Sequence, residues 1–119
     1  MAKELRNAAE LQRQLTEFQE LQRQAQAMAM QRQQMILQIE EIRAAEAELG
    51  KSKKGIYRVL GPLLIESSKD DAAADLKGKK ELYEMRISVL EKQEKKVAPR
   101  LDELRKTLET ALRENKLSR

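Results

Sequence analysis

The chain has 119 residues, a formal net charge of +4 and a pI near 9.4, with 37% charged and only 3% aromatic side chains. One Phe, two Tyr and no Trp cannot supply the aromatic area on which compact cores draw, which excludes a rounded, closely packed domain. With no Cys and no His, disulfides, thiolate chemistry, and the commonest general base and metal ligand are excluded as well.

What remains is the composition of long helices, rich in Ala, Glu, Lys, Leu, Arg and Gln and poor in Gly and Pro. The start, where Lys3, Glu4 and Arg6 precede a Gln-rich stretch, does not read as a signal peptide. No apolar run approaches the length of a membrane span. The expected address is the cytoplasm, with no membrane contact. A single domain is expected over residues 1–119, with a helix over 5–49, a linker and β-hairpin over 50–66, and a second helix over 68–117.

The first helix follows from a heptad seam. Alternating steps of three and four from Leu11 reach Gln14, Phe18, Leu21, Ala25, Met28, Arg32, Met35, Ile39, Ile42, Glu46 and Leu49, and nine of these twelve positions are apolar. That is longer than the three or four heptads that argue for a coiled coil. No Gly or Pro precedes Gly50, so the helix is expected to run about 65–70 Å at 1.5 Å per residue. Met28 and Met35 fall on the seam and read as core, rather than as part of a methionine-rich binding surface with Met30.

Gly50 to Gly55 (GKSKKG) is a helix-ending, turn-rich stretch. Ile56–Leu60 (IYRVL) and Leu63–Glu66 (LLIE), separated by Gly61-Pro62, then read as two short strands with a reversal between them. Proline is disfavoured at the second central position of a type I turn, so the pair is not expected to form a standard two-residue loop. Both faces of the hairpin are apolar: Ile56, Leu60, Leu63 and Ile65 against Tyr57, Val59 and Leu64. An isolated hairpin is marginal in water and has two open edges. Either it folds back on its own helices or hairpins from several subunits pair into a shared sheet or barrel, and the second reading accounts better for two apolar faces.

Ser67 or Ser68 is a plausible N-cap for the second helix, with Asp70 and Asp71 in its first turn where the dipole favours negative charge. Its seam runs Leu76, Lys80, Tyr83, Ile87, Leu90, Glu94, Val97, Leu101, Leu104, Leu108, Ala111 and Asn115, again nine of twelve apolar. Gly78 weakens it locally, and Pro99 removes a backbone hydrogen bond, reading as a tolerated bend or as a hinge. Residues 1–49 carry six basic and eight acidic groups (−2) while residues 76–119 carry thirteen and eight (+5), so the two helices attract. The reversal near Gly61 makes them antiparallel, with residue numbers summing to about 124 across the pair. Leu49 then lies near Leu76, Leu11 near Leu112, Glu46 near Lys80 and Arg32 near Glu94, the charged seam positions fixing register. The fold class is therefore mainly α: a long antiparallel two-helix coiled coil with a short β-hairpin between the helices.

Gln19–Ile39 (QELQRQAQAMAMQRQQMILQI), Ile56–Ile65 (IYRVLGPLLI) and Glu84–Val97 (EMRISVLEKQEKKV) resemble the β class of archaeal prefoldin subunits, over about Leu11 to Ala111. The α class, with two hairpins between its helices, fits less well. The resemblance implies an ATP-independent chaperone subunit, assembled as two α and four β, whose hairpins build an oligomeric β-barrel. It implies that the coiled-coil tips capture non-native polypeptide and deliver it to a group II chaperonin. On that basis subunit assembly falls to Ile56, Tyr57, Val59, Leu60, Leu63, Leu64 and Ile65. Client binding falls to Leu5, Ala8, Leu11, Leu15, Leu108, Leu112 and Leu117, of which Leu15 and Leu112 lie one position off the seam and could instead cover fraying ends.

The rivals are weaker. Without His, Cys or a Gly-rich phosphate loop, no enzyme, catalytic residue, cofactor or metal site is expected. Acids interleave the basic third and stacking aromatics are scarce, so no nucleic-acid partner is expected. A structural or tethering coiled coil that binds no client is the alternative.

Overall fold

A computed structural model describes residues 2–117, with side chains from 7 to 114. The chain order is α1 (Ala2–Lys51), β1 (Ile56–Leu60), β2 (Leu63–Ser67) and α2 (Lys69–Leu117). The helix α1 continues through Gly50 to Lys51, and the Ser52 amide still donates to the Glu48 carbonyl at 2.9 Å. Gly50 costs helix stability without forbidding helix, so termination falls in the following Ser-Lys-Lys-Gly.

Burial follows the heptad. Every described seam position from Gln14 to Leu49 and from Leu76 to Ala111 is at least half-buried, while nearly all other helical residues are exposed. Ile39, Ile42, Ala72, Leu90 and Leu104 are the most buried apolar side chains. The polar seam residues Arg32 and Glu94 both have polar partners.

The chain forms two compact units, each made from both helices. One takes α1 up to Met30 with α2 from Leu90 onward; the other is Gln31–Val89 and contains the hairpin. In the hairpin unit, Lys80 Nζ donates to both carboxylate oxygens of Glu46, at 2.9 and 3.1 Å, which is the antiparallel pairing the seam predicts. In the terminal unit, Arg100 Nε and Nη2 donate to the two oxygens of Glu17, both at 2.8 Å. Here Leu11 and Ala111 line one groove, and Leu112 is 61% exposed. Leu11 is an a position and Ala111 a d position, the combination that interdigitates side chains between antiparallel helices. Pro99 stays within α2, on its exposed side.

The hairpin pairs Ile56 with Ser67, Tyr57 with Glu66, Arg58 with Ile65, Val59 with Leu64 and Leu60 with Leu63. Gly61 and Pro62 do make a two-residue loop. Gly61 has φ +58, and the proline ring holds Pro62 near −65°. A positive then a negative φ is the signature of a type II′ turn, whose twist suits a hairpin. The expectation considered proline in a type I turn, where it forces its predecessor out of the α region. Glycine at φ +58 is already outside that region, so the conflict does not arise. Of the two candidate caps, Ser68 is the one used: its Oγ accepts from the Asp71 amide at 3.1 Å, three residues on.

Candidate assembly and client-binding sites

Alternation along the strands sorts the hairpin into two faces. One carries Ile56, Arg58, Leu60, Leu63, Ile65 and Ser67; the other carries Tyr57, Val59, Leu64 and Glu66. The first face leans on the chain's own helices at one end only. Arg58 Nη2 lies 3.3 Å from Asp75 Oδ1, and Lys79 lies 3.3 Å from the other Asp75 oxygen. A cleft of about 450 Å³ remains there, with Ala45, Leu49, Ile56, Leu60 and Leu76 in its lining. Toward the turn Leu60, Leu63 and Ile65 are exposed. The second face is uncovered, with Val59 72% and Leu64 71% exposed as a directly opposed pair beside Tyr57. Six of the seven expected assembly residues are thus exposed, and Ile56 is half-buried.

The side chains of Leu5 and Leu117 lie outside the described residues. The other client-binding candidates sort by heptad position. Leu108 is half-buried on the seam and holds the helices together, while Leu11 sits at the seam's exposed end. Ala8, Leu15 and Leu112 are exposed and all occupy e positions, where α1 and α2 flank the seam on the same side of an antiparallel pair. That side carries these three exposed apolar residues together with Arg105, which also occupies an e position. The opposite, g side is polar: a groove of about 480 Å³ is lined there by Glu10, Gln14, Lys106, Thr107 and Glu114, with Leu11 and Ala111 at its floor.

The Glu17–Arg100 pair belongs to the same g side. Hydrogen bonds from Arg100 hold the Glu17 carboxyl below the usual carboxylate range, and those bonds raise the Arg100 guanidinium further above its already high value. Nearby, hydrogen bonds from Arg105 and then Lys106 lower Asp102. Thr16 and Thr107 donate to the carbonyls of Gln12 and Glu103 on their own helices. The Glu17–Arg100 bridge was not anticipated from the sequence. Its signal was opposite charge at two g positions, legible only once the register is known.

A seam-paired two-helix arm closed by a hairpin with an apolar, unpaired outer face defines a coiled-coil assembly subunit. A family model described as Prefoldin subunit matches residues 12–115. The prefoldin subunit beta of Methanococcoides burtonii is 37% identical over 105 residues, covering 87% of this chain and 90% of that protein. The crystal structure of the prefoldin beta subunit from Thermococcus strain KS-1 superimposes with a TM-score of 0.76 at 34% identity, covering 87% of this chain and 93% of that one. The beta2 subunit from the same strain gives 0.69 at 31% identity, covering 75% and 97%. The chain belongs to the prefoldin subunit family, a family of chaperone subunits, and the relatives it matches here are beta subunits. Among the described residues no helix is long and apolar enough to cross a membrane.

Proposed function

We propose that the chain is an ATP-independent chaperone subunit of the cytoplasm that joins an α-class partner, as two α and four β, through its hairpin. In the assembly the residues near the chain ends hold non-native polypeptide and pass it to a group II chaperonin. The observation that supports this most directly is the uncovered hairpin face, Tyr57, Val59 and Leu64, between two open strand edges. Edge-to-edge pairing into a closed barrel covers such a face and removes the edges together. For the client, apolar Leu15, Leu112 and Ala8 on one side of each arm offer small, separate contacts. Several arms in one assembly turn weak contacts into useful affinity through effective concentration, while each still releases. No nucleotide enters this scheme.

Co-expression with an α-class prefoldin subunit, followed by native mass measurement, tests the assembly. A hexamer of two α and four β chains is expected; a dimer indifferent to that partner supports a tethering coiled coil instead. Deleting residues 1–10 and 113–119 should leave the hexamer intact and weaken suppression of client aggregation. Undiminished suppression refutes the assignment of the client to the chain ends.

A further inference from the structure

The hairpin unit carries a second groove, on the g side of its helix pair, of about 530 Å³. Two half-buried seam residues, Met35 on α1 and Tyr83 on α2, stand in its lining, and Leu37 lies at its α1 edge, half exposed. Its wall is a row of glutamines, Gln31, Gln34 and Gln38, whose side chains make no hydrogen bond within the described residues. On α2 the c positions on the same side are Leu82 and Val89, both exposed where a two-helix pair ordinarily carries charge.

We infer that this groove is a second binding site for non-native polypeptide, taking an extended apolar segment along α1 between the glutamine row and Leu82. The chemistry selects that occupant. An amide side chain offers both a donor and an acceptor, so a row of three spaced along a helix face can pair with successive backbone N–H and C=O groups. A folded partner has already paired those groups internally; an unfolded strand holds them only to exchangeable water. Met35 in the lining is an adaptable apolar contact that accepts side chains of differing shape. Leu37, Leu82 and Val89 expose a few hundred Å², the size of an ordinary surface patch. That is well short of the roughly 800 Å² per partner of a stable protein interface. The site therefore suits a transient ligand held at several points, and not a permanent subunit contact. Glu41 at one end of the groove, and Arg86 at the next g position of α2, give it no single charge preference.

This inference rests on the proposed client-binding function, and its test separates the two. The chain has no cysteine, so single cysteines report position cleanly. Gln38→Cys, Ala8→Cys and, on the opposite e side, Arg43→Cys are each labelled with benzophenone in the hexamer. They are then illuminated with reduced, carboxymethylated lactalbumin as the unfolded probe. Crosslinking from Gln38→Cys at a yield comparable to Ala8→Cys, with little from Arg43→Cys, is expected. Gln34→Ala with Gln38→Ala, both favourable in a helix, should weaken binding of the probe about fivefold with the hexamer mass unchanged. Crosslinks from Ala8→Cys but none from Gln38→Cys, or an unchanged affinity in the double variant, overturn the groove and leave the function standing. An unsubstituted hexamer that does not bind the probe overturns both.

Discussion

Reversing Glu46 and Lys80, singly and together, measures what holds the hairpin unit in register. Lys80 Nζ lies 2.9 and 3.1 Å from the two Glu46 oxygens, with the side chains 25% and 31% exposed. Exposed pairs contribute roughly 0.2–1 kcal/mol, and removing one partner of a buried pair costs roughly 3–5 kcal/mol. A pair shielded to this degree falls between, with a coupling of about 1.5 kcal/mol. Glu46→Lys or Lys80→Glu also places like charges on the seam, so each should cost about 2 kcal/mol and lower the melting temperature by about 8 °C for a chain of this size. The swapped double variant restores the pair and should return to within about 0.5 kcal/mol of the starting protein. Urea and thermal unfolding of the four proteins, followed by circular dichroism, gives the cycle. A double variant as unstable as the sum of its singles would refute the antiparallel register.

Gly61→Ala meets no neighbouring atom but must hold φ +58, so it should cost about 1–2 kcal/mol through backbone strain alone, measured by urea unfolding. Ser68→Ala removes the cap that receives the Asp71 amide and should cost about 1 kcal/mol in the same assay, with Ser68→Asp near neutral. Val59→Lys with Leu64→Lys places charge on the uncovered hairpin face and should leave two-helix subunits that fail to form hexamers in native mass spectra, with helicity unchanged. The Glu17 carboxyl is depressed in the folded chain, so its contribution to stability is present above the unfolded value and is lost as pH falls through the folded one. By NMR titration its midpoint should lie below that of an ordinary glutamate and return upward in Arg100→Gln.

The seam carried most of the fold in the open. Leu76 to Ala111 and Gln14 to Leu49 are spaced so regularly that helix type, partner face and the Glu46–Lys80 pair follow from the spacing alone. What could not be read depends on offsets smaller than a helical turn. Whether Leu11 shares its groove with Ala111 or Leu112 is a matter of one residue, and a coiled-coil pattern tolerates either. The cap is a choice between adjacent serines with equal chemistry, decided by where β2 stops pairing. The turn type hinges on the sign of one glycine φ. The exposed apolar hairpin was legible because a two-stranded hairpin this small cannot bury both of its faces by itself. The glutamine groove was not, since Gln31, Gln34 and Gln38 read as ordinary solvent-facing helix residues until the fold brings Tyr83 to the same groove.

The two junctions of the hairpin are built differently. Four residues, 52–55, separate α1 from β1, whereas Ser68 alone separates β2 from α2. On the α2 side strand register and helical phase are one continuous count, anchored by the Ser68 cap. One residue inserted there would turn every later side chain by about 100°, moving Leu90 and Leu104 from the seam to its flanks. The same insertion between Lys53 and Gly55 would be taken up by the loop. Length variation in this fold is therefore a one-sided freedom: the chain can lengthen on its way into the hairpin, but not on its way out.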